Sequence, residues 1–318
     1  MPPEPAIVTR GLRKAYPLPR GGAVEALRGL DLEVRAGEFF GLLGPNGAGK
    51  TTTLSILTTR ARPSAGEARV AGADVVREPA AVRQRIGVVP QRANPDRALT
   101  VLENLRFHAA YFGIPRAPAE RRARELLAQL EIAGREDAPV EALSGGQQQR
   151  LMIARALVHE PAVIFLDEPT VGLDPQARLA LWEILRRLHA AGRTIVMTTH
   201  YMEEADRLCE RVAIIDRGEL LACDTPAALK ARIPGGTLLE LRLDGDAAAA
   251  AREAGADGAF ARVEADGPVL RAYATRGGEA VPALIRAAER AGREVRHVEM
   301  EAPSLESLFI SLTGRRLD

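Results

Sequence analysis

The stretch GPNGAGKT at residues 44–51 constrains this chain more than any other part of its sequence. It follows the apolar run FFGLLG at 39–44, which predicts a buried strand, and it leads into a helical pattern. Glycines let the backbone amides of such a loop turn inward around an anion, and the helix start adds the positive end of its dipole. The sequence therefore predicts a phosphate-binding loop between a strand and a helix. A glycine-rich turn that only caps a helix is the alternative.

Two residues at the end of this loop carry the chemistry expected of it. Lys50 is predicted to reach the β and γ phosphates of a nucleotide, and Thr51 is predicted to hold Mg²⁺. The rest of the loop is expected to take part because its backbone amides surround the anion. The other candidate nucleotide-binding residues in the loop are Gly44, Pro45, Asn46, Gly47, Ala48 and Gly49.

Two further apolar runs also end in chemically reactive residues. AVIFLDE at 162–168 ends in Asp167 and Glu168, and TIVMTTH at 194–200 ends in His200. Stretches with helical spacing lie between the runs, and strands that alternate with helices predict a parallel sheet covered on both faces. In such sheets ligands bind beyond the carboxyl ends of the strands. We therefore expect these side chains to converge at the phosphate-binding loop.

The side chains at these strand ends suit phosphoryl transfer. Asp167 is predicted to hold Mg²⁺ through a water, and Glu168 to orient and deprotonate an attacking water. His200 is predicted to donate to the γ phosphate and to keep the water and Glu168 in line. Taken separately, the two carboxylates are also typical of an acidic surface turn, and the histidine of a packed or surface residue. Their place beside a phosphate-binding loop favours the catalytic interpretation.

The stretch LSGGQQQR at 143–150 places two glycines at the start of a predicted helix. If Ser144 caps this helix, its first turn at Gly145 and Gly146 offers free amides and a positive dipole end to an anion. The chain already has one phosphate-binding loop, so the second anion site favours a γ phosphate bound to another copy. Glycines, which lack a Cβ, allow two protein surfaces to enclose one nucleotide. A capped helix without a ligand is the alternative.

Length and composition agree with a folded chain of two domains. The chain has 318 residues, and its net charge of +1 gives no general attraction to nucleic acid or to an anionic membrane. Cys209 and Cys223 match no metal-binding spacing, so we expect a packing role in a reducing compartment. We expect neither a signal peptide nor a membrane-spanning helix, which would need a run of roughly 18 apolar residues.

The hydrophobic pattern changes at about residue 230. Residues 1–230 form the predicted nucleotide-binding domain, with an Arg- and Glu-rich helical insert at about 96–142. Over 236–318 the pattern becomes strand, helix, two strands, helix and strand, which is the order of ferredoxin-like domains. We predict a small accessory or regulatory α+β domain there.

Five motifs together resemble the ATP-binding cassette of ABC transporters. They are GPNGAGKTT, VVPQ, LSGGQ, VIFLDEPTVGLD and TTH, in that order over residues 6 to about 225. The resemblance implies an α/β fold of the P-loop NTPase type, with a parallel-sheet core, an N-terminal antiparallel β region and a helical subdomain. It also implies hydrolysis of ATP with Mg²⁺. Two cassettes would form a head-to-tail dimer in which each site takes LSGGQ from the other subunit.

The resemblance extends to individual residues. Residues 44–52, which include Thr52, resemble the phosphate loop, and Gln91 in VVPQ resembles the glutamine that senses Mg²⁺ and meets the membrane subunit. Tyr16 resembles the aromatic residue that stacks on adenine, although Pro17 stands where glycine is usual and a packed tyrosine is the alternative. The implied catalytic residues are Glu168, His200 and Gln91, and the implied metal ligands are Thr51, Gln91 and Asp167. The implied dimer-facing nucleotide contacts are Ser144, Gly145, Gly146, Gln147 and Asp174.

The closing stretch APSLESLFISLTGR resembles the end of daunorubicin-resistance-type ATP-binding subunits, which serve exporters of drugs, other amphiphiles, polysaccharides or ions. Ser307 stands where these subunits often carry an acid, and a capped amphipathic helix is the alternative interpretation. The resemblance implies a homodimer that powers a drug or multidrug exporter. It would bind separate transmembrane permease subunits at the cytoplasmic face of the membrane, with no nucleic-acid partner.

Three other functions share parts of this pattern. Importer subunits carry the same catalytic motifs, so import is the main alternative. Soluble ABC ATPases that act on nucleic acid or ribosomes usually have long insertions, zinc fingers or two cassettes, which this sequence lacks. In a regulatory protein that binds ATP without hydrolysing it, we would expect Glu168 to be replaced.

Overall fold

The computed structural model describes residues 4–19, 21–233, 236–274 and 277–313. These residues form two compact units that divide between Thr225 and Pro226. The helix at 226–231 falls in the C-terminal unit because it packs against the helix at 305–313, whereas the hydrophobic pattern of the sequence places it in the first domain. Gly314 and Arg315, at the end of the closing motif, lie outside the described residues.

Strands and helices alternate along most of the chain. The strands are β1 (Ile7–Pro17), β2 (Ala23–Val34), β3 (Phe39–Leu43), β4 (Ala65–Val70), β5 (Ala73–Asp74), β6 (Ile86–Val89), β7 (Val163–Asp167), β8 (Thr194–Thr199), β9 (Arg211–Asp216), β10 (Glu219–Asp224), β11 (Thr237–Leu243), β12 (Arg262–Asp266), β13 (Val269–Ala274) and β14 (Val295–Glu301). The α-helices are α1 (Lys50–Leu57), α2 (Pro79–Arg85), α3 (Val101–Tyr111), α4 (Arg116–Gln129), α5 (Gly145–Leu157), α6 (Pro175–Ala190), α7 (Met202–Leu208), α8 (Pro226–Ala231), α9 (Ala248–Ala256), α10 (Gly277–Arg290) and α11 (Leu305–Thr313). Within the described ranges, no helix is both long and apolar enough to cross a membrane.

A parallel sheet forms the centre of the N-terminal unit, and its described strands lie in the order β10-β9-β3-β8-β7-β6. All neighbouring strands run parallel except β10, which pairs antiparallel with β9. β3, β7 and β8 are buried along their whole length, as strands covered on both faces must be. These strands are the three predicted apolar runs, so the predicted parallel core is confirmed. Because β3, β8 and β7 are neighbours, their carboxyl ends lie side by side.

An antiparallel sheet in the order β2-β1-β4-β5 completes the core of this unit. Its apolar side chains, among them Ile7 and Leu30, share one cluster with Phe40 and Phe165 of the central sheet. Burying a large apolar side chain stabilises the folded state by about 1.5–3 kcal/mol. The shared cluster therefore holds the two sheets together, and the predicted N-terminal antiparallel region is confirmed.

The predicted insert at 96–142 is helical in the structure. It contains α3, α4 and a short 3-10 helix at Val140–Ala142. α3 begins with reciprocal hydrogen bonds: the Glu103 amide donates to the Thr100 hydroxyl at 3.3 Å, and the Thr100 amide donates to the Glu103 carboxylate at 2.9 Å. Such a capping box satisfies amides that the first turn of a helix leaves free.

The C-terminal unit has its own sheet and its own core. Its strands lie in the order β12-β13-β11-β14, and each neighbouring pair is antiparallel. Apolar residues of β11 and β13 pack against α9 and α10 in a separate cluster that includes Leu239, Leu241, Ala250 and Leu284. The strand, helix, strand, strand, helix, strand order is the one predicted from the sequence, and it is that of ferredoxin-like domains.

Acidification is expected to destabilise the N-terminal unit through His108. The ring centroid of His108 lies 5.3 Å from that of Phe112 and 6.1 Å from that of His159. Burial, together with the charges of Arg155 and His159, lowers the pKa of His108 from 6.5 to about 4. Between these two values the unfolded state binds more protons than the folded state, so the free energy of unfolding falls as the pH drops from about 6.5 to about 4.

The variant His108→Phe removes this titration while keeping an aromatic ring in place. Its free energy of unfolding, measured by urea titration, should fall less than that of the wild-type protein between about pH 7 and about pH 5. An equal fall in both proteins would contradict the role given to His108.

Candidate active site

The loop between β3 and α1 is fixed at both ends and open at its middle. A Cβ at Gly44 would lie 2.2 Å from the carbonyl oxygen of Ile215, and one at Gly49 would lie 2.8 Å from that of Ala26. Gly47 has a φ angle of 80°, and a Cβ there would meet nothing within 4 Å. Glycine at both ends therefore permits close packing, while the middle of the loop has room for an anion.

Lys50 begins α1 and places its ammonium group between the loop and a carboxylate. Its Nζ donates to the carbonyl oxygens of Gly44 at 2.6 Å and Pro45 at 3.2 Å. The same atom lies 3.2 Å from Oε1 of Glu168, and the two side chains are only 4% and 7% exposed. Buried charges of this kind need partners. The loop after β3 and the end of β7 thus bring these two residues together.

Asp167, the last residue of β7, lies between two hydroxyl groups. Its Oδ1 accepts a hydrogen bond from the Thr198 hydroxyl of β8 at 2.6 Å. The Thr51 hydroxyl donates to the same oxygen at 3.4 Å. Hydroxyl and carboxylate oxygens are ligands that suit Mg²⁺. The two predicted metal ligands Thr51 and Asp167 are therefore neighbours.

Glu168 is the residue around which the other predicted catalytic groups meet. Gln91 Nε2 donates to Oε2 of Glu168 at 3.0 Å, and His200 Nδ1 lies 3.3 Å from the same oxygen. This buried His200 nitrogen has no hydrogen-bond partner of good geometry in the described part of the chain. The amide of Glu168 donates to the Thr198 hydroxyl at 2.9 Å, and its φ angle of 46° lies in the left-handed region.

Ser144 caps α5, as the sequence predicts. The Gln147 amide donates to the Ser144 hydroxyl at 3.3 Å, and the Ser144 amide donates to the Gln147 side-chain oxygen at 3.0 Å. A Cβ at Gly145 would meet nothing within 4 Å. The helix start is thus capped by reciprocal hydrogen bonds, and its first glycine faces open space.

Asp174 caps α6, whose first turn lies against this helix start. Its Oδ1 accepts a hydrogen bond from the Ala177 amide at 2.8 Å, which caps α6. A Cβ at Gly146 would lie 3.3 Å from the Ala177 Cβ. Within the described ranges, no hydrogen bond or ion pair joins Asp174 or Ser144 to Glu168 or Lys50. In a single copy, the predicted site residues therefore fall into two groups that no described hydrogen bond or ion pair joins.

Tyr16 is near the end of β1, where it pairs with Val24 of β2. The tyrosine is 41% exposed, and the ammonium group of Lys14 lies 4.8 Å from the centre of its ring. The ring is thus accessible to a stacking partner, but it makes no described polar contact with the Lys50 group.

Comparison with known proteins identifies the family. The model of the ABC transporter family matches residues 27–171. The Nod factor export ATP-binding protein I of Ralstonia nicotianae is 43% identical over 315 residues, which cover 98% of this chain and 95% of that protein. This chain belongs to the ABC transporter family. The daunorubicin resistance ATP-binding protein DrrA3 of Streptomyces coeruleorubidus is 40% identical over 319 residues, which cover 98% of this chain and 96% of the relative.

Solved ABC transporter cassettes have the same fold. The dimeric structure of the bacterial ABC transporter cassette MJ0796 has a TM-score of 0.63 and 30% identity, and the match covers 69% of this chain and 98% of that chain. A second dimeric structure of that cassette, in a post-hydrolysis state with bound ADP and Pi, gives the same values. The predicted family and cassette fold are confirmed, and this ABC chain is an ATPase that binds ATP and ADP.

Sequence reasoning missed the residues that support the carboxylates of this ABC ATPase. Thr198 binds both Asp167 and the amide of Glu168. Glu204 is 1% exposed and accepts hydrogen bonds from side chains of three different segments. The pair of threonines directly before His200 could have indicated the role of Thr198. Nothing in the sequence around Glu204, on a short helix, indicates its role.

The variant Gly44→Ala is expected to lose nucleotide binding. The new Cβ would clash with the carbonyl oxygen of Ile215, so the loop must shift. Overpacking of this kind costs about 1–3 kcal/mol of unfolding free energy. Urea titration and titration with a fluorescent ATP analogue would measure the two effects. The control Gly278→Ala adds a Cβ in open space and should bind the analogue like the wild-type protein. Unchanged binding by Gly44→Ala would contradict the need for close packing.

Proposed function

We propose that this ABC ATPase powers the export of a drug-like or other amphiphilic compound. In this proposal it works as a homodimer, bound to separate permease subunits at the cytoplasmic face of the membrane. Two similar proteins are named for Nod factor export and daunorubicin resistance, which favours export over import. The observation that carries the catalytic part is the Glu168 carboxylate, whose oxygens lie within 3.3 Å of Lys50, Gln91 and His200 atoms.

The phosphates of ATP bind along residues 44–52. Lys50 already directs its Nζ to the carbonyl oxygens of Gly44 and Pro45, so its charge faces the loop before a nucleotide arrives. Phosphate oxygens replace these carbonyls as stronger, charged acceptors. Tyr16 supplies an exposed ring on which adenine stacks.

Thr51, Gln91 and Asp167 hold Mg²⁺ in this proposal. The Thr51 and Asp167 oxygens are 3.4 Å apart, and hydroxyl, amide and carboxylate oxygens are ligands that suit this cation. Mg²⁺ characteristically keeps several waters, which agrees with an indirect contact to Asp167. When bound, the ion neutralises the negative charge that the phosphates carry during transfer.

Glu168 acts as the general base for hydrolysis. Its carboxylate takes a proton from the attacking water, the water oxygen forms a bond to the γ phosphorus, and the bond from that phosphorus to the β–γ bridging oxygen breaks. ADP and phosphate are the products. Gln91 and His200 hold the carboxylate in place, because an atom of each lies within 3.3 Å of its Oε2.

A second copy of the chain completes each site. Ser144, Gly145, Gly146 and Gln147 form the exposed start of α5, where the helix dipole and free amides favour an anion. Within one copy they make no described hydrogen bond or ion pair with Glu168 or Lys50, which agrees with a role in the site of another copy, and the dimeric MJ0796 cassette supports this arrangement. Asp174, beside this helix start, belongs to the same interface. ATP favours the closed dimer and its hydrolysis the open one, so the cycle can do work on a partner.

The helical insert offers a surface for the permease subunits. Phe107 and Tyr111 of α3 are 57% and 84% exposed, and large exposed apolar rings commonly mark protein interfaces. They border a cavity of about 510 Å³ that also includes Asn94, close in sequence to Gln91. A permease docked there would be adjacent to the glutamine that contacts Glu168. The C-terminal unit serves to stabilise or regulate the dimer.

The variant Glu168→Gln tests the proposed function. It should lower the steady-state rate of ATP hydrolysis by at least about 100-fold, because an amide cannot accept the proton. The same variant should form a stable dimer with ATP and Mg²⁺, seen by light scattering after size-exclusion chromatography. The proposal would be refuted if the wild-type protein hydrolysed ATP rapidly as a monomer, or if the variant formed no ATP-dependent dimer.

Gly145→Ala tests whether the start of α5 faces another copy. In one copy the new methyl group meets open space, and alanine is preferred to glycine in helices by about 1 kcal/mol, so the fold should not lose stability. In the Glu168→Gln background, however, the methyl group should weaken ATP-dependent dimerisation. The matched control Gly255→Ala, also helical and in open space, should dimerise like its parent. Equal dimerisation of both variants would argue against the interface.

A further inference from the structure

A buried carboxylate behind the active site joins three segments of the N-terminal unit. Glu204, on α7, is 1% exposed. Its Oε2 accepts a hydrogen bond from the Thr199 hydroxyl at 2.7 Å, and its Oε1 accepts one from the Trp182 indole at 3.0 Å. The Thr170 hydroxyl also donates to Oε1. These donors belong to the end of β8, to α6 and to the loop that joins β7 to α6.

The first of these bonds supports the turn that carries His200. Thr199 precedes His200 directly, and its hydroxyl accepts a hydrogen bond from the Tyr201 amide at 2.9 Å while it donates to Glu204. The ring of Tyr201 packs against that of His200, with centroids 4.1 Å apart. Glu204 therefore anchors the turn on both sides of His200.

The hydrogen bonds from Thr170 and Trp182 hold the loop that follows Glu168 and the helix after that loop. Thr170 is the second residue after Glu168, and the amide of Val171 donates back to the carbonyl oxygen of Glu168 at 3.2 Å. Trp182 lies on α6, the helix that Asp174 caps. One carboxylate thus connects the loop and helix on the Asp174 side with the turn on the His200 side.

The chemistry of Glu204 suits a connecting group. An ionised carboxylate only accepts hydrogen bonds, and an indole N–H only donates, so the polarity of the contact with Trp182 is fixed. The side-chain hydrogen bonds found for Glu204 in the described residues come from these neutral donors, and they hold the carboxyl group in its buried place. Displacing one donor leaves a buried acceptor short of partners, and the other segments must then adjust.

We propose that Glu204 is a positioning residue that couples His200 to the loop 168–174 and α6. A displacement of His200 at the γ phosphate is transmitted through Thr199 and Glu204 to the segment that carries Asp174. This inference rests on the proposed roles of Glu168 and His200, and it adds a link between the hydrolytic group and the dimer-facing loop.

Glu204→Gln tests the link, because it keeps the side-chain shape and replaces one acceptor oxygen with a donor. We expect kcat for ATP hydrolysis to fall by about tenfold, with the KM for ATP changed by less than about twofold. In the His200→Ala background the same substitution should cost less than about twofold more, because Glu204 acts through His200. A wild-type kcat in Glu204→Gln, or the full tenfold loss in both backgrounds, would overturn the proposal.

Glu38→Gln is the matched control for loss of a buried carboxylate. Glu38 is 3% exposed, accepts a hydrogen bond from the Arg35 amide at 2.7 Å and pairs with Arg211 at 3.3 Å. It precedes β3, at the opposite end of the central sheet from the phosphate loop. We expect Glu38→Gln to lower the melting temperature without changing kcat. An equal loss of kcat in Glu38→Gln would assign the effect to general destabilisation and refute the link.

The chain has a single tryptophan, Trp182, which reports on the same carboxylate. ATP with Mg²⁺ should change the emission of Trp182 in the Glu168→Gln variant, and the added Glu204→Gln change should remove that response. Persistence of the full response would count against the coupling.

If Glu204→Gln does not fold, Thr170→Val replaces it as the test. This near-isosteric change removes only one hydroxyl donor to Glu204, and it should show the same loss of kcat.

The same variants distinguish a failure of the coupling through Glu204 from a failure of the proposed function. If Glu168→Gln hydrolyses ATP as fast as the wild-type protein, the assignment of the base fails. If Glu168→Gln is inactive but Glu204→Gln and Thr170→Val behave like the wild-type protein, only the coupling through Glu204 fails.

Discussion

The ion pair between Lys50 and Glu168 is the interaction on which the rest of the N-terminal unit depends. Both side chains are almost fully buried, and removing one partner from a buried pair typically costs about 3–5 kcal/mol. The two residues are far apart in the sequence. Lys50 begins the helix after β3, and Glu168 follows β7, two strands that β8 separates. The pair therefore forms only when all three strands are in place and in register.

β8, the strand between β3 and β7, supports the active site as well as the fold. The Thr198 hydroxyl of β8 donates to the Asp167 carboxylate, and the amide of Glu168 donates to the hydroxyl and the carbonyl oxygen of Thr198. Each acidic residue is therefore fixed by the neighbouring strand. Glu204 extends this support to the loop after β7, to α6 and to the end of β8. Hydrogen bonds from several segments thus hold the site, and the predicted catalytic residues themselves have the strongest sequence signal.

Sequence reasoning succeeded where local chemistry determines structure. The glycines of the phosphate loop, the fully apolar strands and the Ser144 cap each need particular residues at particular spacings, so they could be recognised without coordinates. Thr198 and Glu204 could not be assigned in this way, because their roles depend on contacts between segments about thirty residues apart. The boundary between the two units at Pro226 could not be predicted from the sequence either, because α8 joins the C-terminal unit by packing against a helix near the end of the chain.

The backbone of Glu168 has a further consequence. Its left-handed φ angle of 46° is unfavourable for a residue with a Cβ, at a cost on the order of 1 kcal/mol, and glycine would adopt it freely. Glycine, however, has no carboxylate with which to pair Lys50 or to accept a proton. Conformational ease and chemistry thus favour different residues at this position. Removing the acid would relieve this strain but would leave Lys50 buried without its partner, at the larger cost of about 3–5 kcal/mol. The fold itself therefore retains a carboxylate at the position where the chemistry needs one.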